Sequence, residues 1–259
     1  MKPFLVLNAK LWKSSLIIMV CVVFGLGVLY GEIKNLSPFQ SSPVFAADEE
    51  PKAIYSVPTK QKMVALTFDI SWGEKRPGPI LDILEEKGVK KATFFLSSPW
   101  AQSHPEIVAR IKEMGYEIGS HGHKHVNYSR LSDPSIREQI QTSDRILQEL
   151  TGSKPTLIRM PNGDFDKRVL NIADSLGYTV IQWDTDSLDW MNPGVDAIVN
   201  RVISKVHPGD IILMHASDSC KQTHEALPMI LDKLNEQGYE LVTVSELIAM
   251  TQIETHEIN

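Results

Sequence analysis

From residue 63 onward, short apolar runs alternate about seven times with amphipathic segments, and this repeat limits the fold more than any other feature. The first run, MVALTFD, covers residues 63–69, and the helical segment after it ends at Gly88. Strands that alternate with helices pair in parallel, because each helix carries the chain back to the start of the next strand. The pattern therefore predicts a parallel sheet covered by helices, either open and doubly wound or closed into a barrel.

The composition is that of one globular domain with a different N-terminal part. The 259 residues carry a formal net charge of -6, and Lys and Arg form no stripe along the chain. Binding to a nucleic acid backbone needs clustered Lys and Arg, so we predict no nucleic acid partner. The predicted divisions are an N-terminal membrane anchor or signal segment at 1–47, a linker at 48–62, the main domain at 63–250 and a tail at 251–259.

The front of the chain indicates export. Residues 15–30 carry no charge, and Lys2, Lys10 and Lys13 precede them. Basic residues stay on the cytoplasmic side, so the rest of the chain is expected outside the membrane. A buried core helix is disfavoured, because nothing around the run is amphipathic. We expect a protein anchored to the cell membrane by its N-terminus, with secretion after cleavage near Ala46 as the alternative.

Polar side chains that can do chemistry follow the apolar runs, at the point where each run ends. In an α/β barrel the carboxyl ends of the strands converge on one face, where active sites are built. A solvated turn explains one or two such residues, but ending several apolar strands on charged groups is costly unless these groups meet. The residues concerned are Asp69, His121, Arg159, Asp184, Asp186 and His215.

The segment SHGHKH at 120–125 holds three histidines. Two imidazoles four residues apart bind one metal ion when the segment turns helically, whereas an extended segment presents all three. We prefer His121 and His125 as the metal ligands, and we expect His123 to face outward or to support the ligands. A solvent-exposed histidine loop without a metal is the alternative.

An arginine at the end of an apolar strand needs a partner, because an unpaired buried charge is very unfavourable. Arg159 follows the apolar residues of TLI, and its natural partner is a carboxylate from a neighbouring strand end. The segment DTDSLDW at 184–190 supplies Asp186 and Asp189 as well as Asp184. The sequence therefore predicts an arginine–aspartate pair at the carboxyl face of the sheet.

The run IILMHAS at 211–217 places His215 after four apolar residues, at the expected floor of a pocket. A core histidine with satisfied hydrogen bonds is the usual alternative, but a second acid–base group, Asp69, on the same face favours a general acid. The expected substrate contacts are Trp190, which is well suited to wall a sugar-sized pocket, Asn162 and Leu213.

Together these motifs resemble the polysaccharide deacetylase family, also called the NodB homology domain or carbohydrate esterase family 4, over about residues 60–250. TFDISWG resembles the first motif of the family, SHGHKH the histidine pair, RMPNG an RxP motif, DSLDW the DxxDW motif and LMH the LxH motif. TFDISWG and the apolar N-terminus are most similar to the sporulation-associated members in spore-forming bacteria. The resemblance implies a deformed (β/α) barrel of about seven parallel strands, preceded by an N-terminal apolar helix.

The resemblance also implies an activity, a substrate class and a cofactor. Members of the family hydrolyse the N-acetyl amides of glycan sugars, so the expected substrate is peptidoglycan or a related N-acetylated glycan. The expected cofactor is a divalent metal, usually zinc, with cobalt or nickel as alternatives, and His121 and His125 would hold it.

Catalytic roles follow from the same resemblance. Asp69 would be the general base that activates the attacking water, and His215 would be the general acid that protonates the leaving amine. Arg159 would orient Asp69, and Asp186 or Asp189 would hold Arg159.

One position departs from the family pattern. The residue after Asp69 is Ile70, where the family has a second acidic residue that serves as the third metal ligand. Isoleucine offers no donor atom, so a weakened metal site is expected. This departure supports an alternative function, a glycan-binding pseudo-enzyme with weak or no deacetylase activity.

Overall fold

The structure, a computed structural model, describes residues 50–256, with side-chain surroundings for residues 50–250. Within this range no helix is both long and apolar enough to cross a membrane. The predicted N-terminal anchor or signal segment, with its apolar run at 15–30 and the cleavage site near Ala46, lies outside the described residues.

Eight parallel strands form one sheet in the described part of the chain. These are β1 (Met63–Ile70), β2 (Thr93–Leu96), β3 (Glu117–Ser120), β4 (Leu157–Ile158), β5 (Thr179–Val180), β6 (Thr185–Asp186), β7 (Ile211–His215) and β8 (Glu240–Val242). They follow the order β5–β4–β3–β2–β1–β7–β6, and β8 pairs with the first residues of β1. No ladder joins β5 to β6 within residues 50–256, so the barrel is deformed rather than evenly closed. The predicted fold is confirmed, and the strand absent from the prediction is β6, which is only two residues long.

Helices connect the strands and cover the outside of the sheet. Among them the helix at Ser98–Ser103 was not predicted, because its six residues are too few to show a helical period. The helices described are α1 (Pro77–Glu86), α2 (Ser98–Ser103), α3 (Pro105–Glu113), α4 (Asp133–Thr151), α5 (Lys167–Ser175), α6 (Val195–Lys205), α7 (Thr223–Glu236) and α8 (Val244–His256).

The central strand β1 is buried on both faces, and its two faces have different neighbours. Side chains alternate along a strand, so every second residue points the same way. Phe68 and Ile70 pack into the large apolar cluster that includes residues of α1 and α7. Ala65 packs into the inner cluster, and Thr67 and Asp69 continue that inner face toward the carboxyl end. The alternation thus aims Asp69 into the barrel and Ile70 toward the helices.

The described part of the predicted linker packs against the barrel. Ile54 forms a parallel bridge with Ile181, and Ser56 forms an antiparallel bridge with Asp210. Val57 is buried in the inner apolar cluster. The segment therefore belongs structurally to the domain that it precedes.

Candidate active site

One cavity of about 600 Å³ lies at the carboxyl ends of the strands, where a parallel α/β fold builds its active site. Arg159 and Asp189 lie outside its lining and are fully buried. The predicted site residues that line the cavity are Asp69, His121, His125, Asn162, Asp186, Trp190, Leu213 and His215.

Arg159 holds Asp69 from below the cavity. Its Nη1 donates to Asp69 Oδ1 at 2.8 Å and to Thr67 Oγ1 at 2.8 Å. Its Nη2 donates to the Gln182 carbonyl at 2.9 Å, and the guanidinium lies 4.2 Å from the centre of the Phe95 ring. These contacts fix the guanidinium in one orientation, so the carboxylate that it holds is also fixed.

The surroundings of Asp69 keep it ionised. Burial raises the pKa of this carboxyl, but the positive charge of Arg159 opposes burial most strongly. His215 adds to the effect of the arginine, and the pKa of Asp69 stays below its ordinary value. At neutral pH Asp69 is therefore a carboxylate that can accept a proton.

The prediction that Asp186 or Asp189 holds Arg159 was wrong. Neither Asp186 nor Asp189 contacts the guanidinium, because Arg159 follows β4 and these aspartates lie on the other side of β1 in the sheet order. Asp189 instead accepts hydrogen bonds from His215 and Thr223. The four ionisable side chains thus form two separate pairs, Arg159 with Asp69 and His215 with Asp189, rather than one chain.

His215 and Asp189 form the second pair. Asp189 Oδ1 accepts from His215 Nδ1 at 2.7 Å, and its Oδ2 accepts from the His215 backbone N–H at 2.8 Å and from Thr223 Oγ1 at 2.6 Å. Burial by itself lowers the pKa of His215, but the Asp189 carboxylate outweighs burial, with help from Asp69 and Asp186. The pKa of His215 is therefore raised, which favours the protonated form that a general acid needs.

The two other aspartates of this segment have different surroundings. Asp186 lines the cavity and accepts a hydrogen bond from the Leu188 backbone N–H at 2.8 Å. Asp184 is exposed, lies outside the cavity lining and pairs with His207 Nε2 at 3.0 Å. The cavity therefore contains Asp186 but not Asp184.

The predicted metal ligands lie side by side. The rings of His121 and His125 have their centres 5.3 Å apart. His121 Nδ1 donates to the Arg159 carbonyl at 2.8 Å, which leaves the lone pair on Nε2. Burial lowers the pKa of His121 to about 4, so this imidazole is neutral at physiological pH. His123 turns away to Ser98 Oγ at 2.9 Å, as predicted for a residue outside the ligand pair.

The donor atoms present fit a divalent cation. His121 Nε2 faces Asp69 Oδ2 at 3.8 Å, and both atoms present lone pairs to each other. Such a pair of electron-rich atoms is stabilised by a cation between them, and neutral imidazoles with a carboxylate are ordinary ligands of zinc and similar metals. Two imidazoles would hold the ion, and an oxygen of Asp69 is the nearby third donor.

A second group of donor atoms is more compact but is less suited to a metal. In the described part of the chain, donor atoms of Asp189, His215 and Cys220 lie within 4.8 Å of one another. Burial raises the pKa of the Cys220 thiol to about 12, so the thiol is protonated at neutral pH. Asp189 is already engaged by three hydrogen-bond donors. We therefore assign this group to the acid–base pair.

Ile70 contributes nothing to the cavity. Its side chain is fully buried with Phe68 and the helix residues, and it is absent from the cavity lining. The position that bears the third metal ligand in the expected family pattern is apolar and turned away from the two histidines here.

Several residues of the site were missed from the sequence. Thr67 and Gln182 hold Arg159, and Thr223 holds Asp189. Strand alternation identifies Thr67, which lies two residues before Asp69 on the same face of β1. No local pattern identifies the other two, because their contacts depend on which strands and helices become neighbours.

Comparisons with known proteins agree with this geometry. A sequence model of the family described as polysaccharide deacetylase matches residues 56–181. A peptidoglycan-N-acetylglucosamine deacetylase of Bacillus cereus is 35% identical, over 75% of this chain and 92% of its own length. The chain belongs to the polysaccharide deacetylase family.

Two other similar proteins are an uncharacterized protein and a pseudoenzyme. The uncharacterized protein YlxY of Bacillus subtilis is 33% identical over 79% of this chain, and the match spans 63% of the length of YlxY. A carbohydrate esterase family 4 pseudoenzyme from Bacillus anthracis is 38% identical, with a TM-score of 0.72 over 77% of this chain and 70% of that chain. The structure of a mutant of that pseudoenzyme is described as having restored enzymatic activity.

Proposed function

We propose that this protein hydrolyses the N-acetyl amide of a cell-wall glycan such as peptidoglycan. One observation carries the proposal: Asp69 and His215 are register partners on adjacent strands, and each is held by its own buried partner. A carboxylate kept ionised and an imidazole whose raised pKa favours its protonated form thus face the same cavity. Amide hydrolysis needs this combination, since a base must activate water and an acid must protonate the leaving nitrogen.

The geometry supports a specific division of labour. Asp69 takes a proton from the water that attacks the amide carbonyl, and Arg159 holds the carboxylate in place during the transfer. His215 donates Nδ1–H to Asp189, so Nε2 is the ring nitrogen that can deliver a proton in the cavity. The C–N bond then breaks, and the products are acetate and a free amine on the sugar.

The metal belongs to this proposal as a cofactor held by His121 and His125. We propose zinc, with cobalt or nickel as alternatives, because two neutral imidazoles suit these ions. When bound, the ion supplies polarisation of the amide carbonyl and of the attacking water. Since Ile70 adds no donor, the affinity for the ion is expected to be low.

A second function has specific support. Ile70 is turned into the core, and a carbohydrate esterase family 4 pseudoenzyme is among the similar structures. The chain would then bind an N-acetylated glycan in the same cavity with weak or no hydrolysis. Both functions predict glycan binding, and they differ in acetate release.

The place of action is also a proposal. The charge-free run at 15–30 behind basic residues supports an extracytoplasmic protein that is anchored to the cell membrane or secreted after cleavage near Ala46. The similarity of TFDISWG to sporulation-associated members supports a role in spore formation. Fractionation of sporulating cells with an antibody to the main domain tests both points, and a protein found only in the cytoplasm contradicts them.

Glycan binding and acetate release, measured on one preparation, distinguish the two candidate functions. The full chain, purified in a mild detergent, is incubated with peptidoglycan fragments or chitin oligomers and with zinc, cobalt or nickel. A deacetylase binds the glycan and releases acetate, whereas a pseudo-enzyme binds the glycan and releases none. A protein that releases no acetate from any glycan with any of these metals is not a deacetylase.

A further inference from the structure

An exposed tryptophan at the mouth of the cavity has no role in the mechanism above. Trp72 is 55% exposed, and Trp190 across the same lining is 49% exposed. Large aromatic side chains left in water beside a cavity are typical of a binding surface, because covering them is favourable. The sequence predicts a substrate contact for Trp190 but not for Trp72.

The loop that carries Trp72, residues 71–76, is held rigidly. The Asp218 carboxylate accepts hydrogen bonds from the backbone N–H groups of residues 74–76 at distances of 2.8 to 3.1 Å. The Gly73 carbonyl accepts from Trp100 Nε1 at 2.7 Å. Gly73 has a φ of 97°, and a Cβ there would lie 2.3 Å from Asp218, so this tight approach requires glycine. Trp72 is thus presented from a fixed backbone.

Both tryptophans are braced by the loop that follows His215. On one side, the Ser71 backbone N–H donates to Ser217 Oγ at 3.0 Å. On the other side, Asn192 in the turn after Trp190 donates from Nδ2 to the Ser219 carbonyl at 2.9 Å. The segments that carry the two exposed rings are therefore both tied to the residues that follow the general acid His215, in the lining of one cavity.

The proposed chemistry determines which part of the substrate lies next to His215. Hydrolysis of an N-acetyl amide leaves the nitrogen on the sugar, and His215 must reach that nitrogen to protonate it. The sugar therefore sits on the side of His215, and the acetyl group sits toward Asp69 and the histidine pair. The apolar face of a pyranose ring suits the flat face of a tryptophan.

We propose that Trp72 is a glycan-binding residue that stacks on a sugar next to the one whose acetamide enters the cavity. This inference rests on the proposed glycan substrate and adds a second sugar site to it. Since the contact lies beyond the reacting sugar, it strengthens binding of oligomers of two or more sugars but not binding of a single N-acetylglucosamine.

Calorimetric titration of the full chain with N-acetylglucosamine oligomers tests the inference. All variants carry Asp69→Asn, so that binding is measured without hydrolysis. Trp72→Ala is expected to weaken binding of the tetramer about tenfold and binding of the monomer, N-acetylglucosamine, much less, as for loss of a central aromatic contact. Trp72→Phe retains a ring and is expected to keep most of the affinity. Tyr55→Ala, which removes an aromatic that is 48% exposed but outside the cavity lining, is the matched control with no expected change.

Acetate release by the wild-type chain, measured in parallel, separates this inference from the proposed function. If no acetate is released from peptidoglycan fragments or chitin oligomers with zinc, cobalt or nickel, but tetramer binding depends on Trp72, the hydrolase is refuted and the second sugar site is retained. A Trp72→Ala variant that binds the tetramer as tightly as its parent overturns the inference, and so does a parent that binds no tetramer.

Discussion

Replacing Asp189 with asparagine isolates what the carboxylate does for His215. The carboxylate accepts from the His215 ring at Oδ1, and from the His215 backbone N–H and the Thr223 hydroxyl at Oδ2. Asparagine keeps one acceptor oxygen and replaces the other with an NH₂ donor of similar size. Two donors converge on the Oδ2 position, so we expect the amide oxygen there and the NH₂ group facing the His215 ring.

The His215 imidazole must then change its tautomer. Nδ1 has to accept a hydrogen bond, so the neutral ring carries its proton on Nε2 and the doubly protonated form is disfavoured. We expect the rate of acetate release to fall by ~10²–10⁴, the usual contribution of a positioned acid–base group. The free energy of unfolding should fall by only ~1–1.5 kcal/mol, because a charge-assisted hydrogen bond becomes a neutral one while every buried group keeps a partner.

Nuclear magnetic resonance of ¹⁵N-histidine-labelled protein reads the tautomer directly. Wild-type His215 is expected to carry a proton on Nδ1, and Asp189→Asn is expected to move it to Nε2. The matched control is Asp186→Asn, whose carboxylate lines the same cavity but accepts from the Leu188 backbone N–H. An Asp189→Asn variant with an Nδ1-protonated ring and an unchanged pH–rate profile would refute the reasoning.

Three further predictions concern stability. Arg159→Met leaves Asp69 buried without its arginine and should lower the free energy of unfolding, measured by urea denaturation, by ~3–5 kcal/mol, whereas Arg168→Met, which breaks exposed pairs, should have a much smaller effect; equal losses would contradict this contrast. The raised pKa of His215 makes its charged form stabilising below the unfolded pKa of about 6.5, and this contribution disappears as the pH rises through the folded pKa. The difference in unfolding free energy between wild type and His215→Gln should therefore shrink as the pH rises above about 6.5, and a constant difference would argue against the pair. In metal-free protein, Ile70→Asp should lower the free energy of unfolding by ~3 kcal/mol or more, because it buries a carboxyl among apolar side chains. Ile70→Val should lower it by only ~1 kcal/mol. Thermal melts that show no such difference between the two variants would mean that residue 70 faces the cavity.

The sequence predicts the position of the site better than its internal pairing. Apolar runs that end on Asp69 and His215 locate the site, because parallel strands bring their carboxyl ends to one face. The partner of each group depends on the order of strands in the sheet. Arg159 and Asp189 come from opposite sides of β1, and no local signal shows that they are separated.

Two features of the site, the surroundings of Ile70 and the position of Trp72, depend on contacts that only the three-dimensional structure shows. The side-chain alternation of β1 is readable from the sequence and indicates that Ile70 faces away from Asp69, but the apolar cluster around Ile70 comes from distant helices. Trp72 lies in a polar loop whose conformation depends on Asp218, a contact between residues far apart in the chain. Such long-range contacts have no short-range signature.

The most direct test of the acid–base account is the initial rate of acetate release from peptidoglycan fragments by the full chain and by Asp69→Asn, with zinc present. The account predicts measurable release by the wild type and a fall of ~10² or more in the variant, since the general base is removed. Equal rates in the two proteins would show that Asp69 is not the base and would contradict the account.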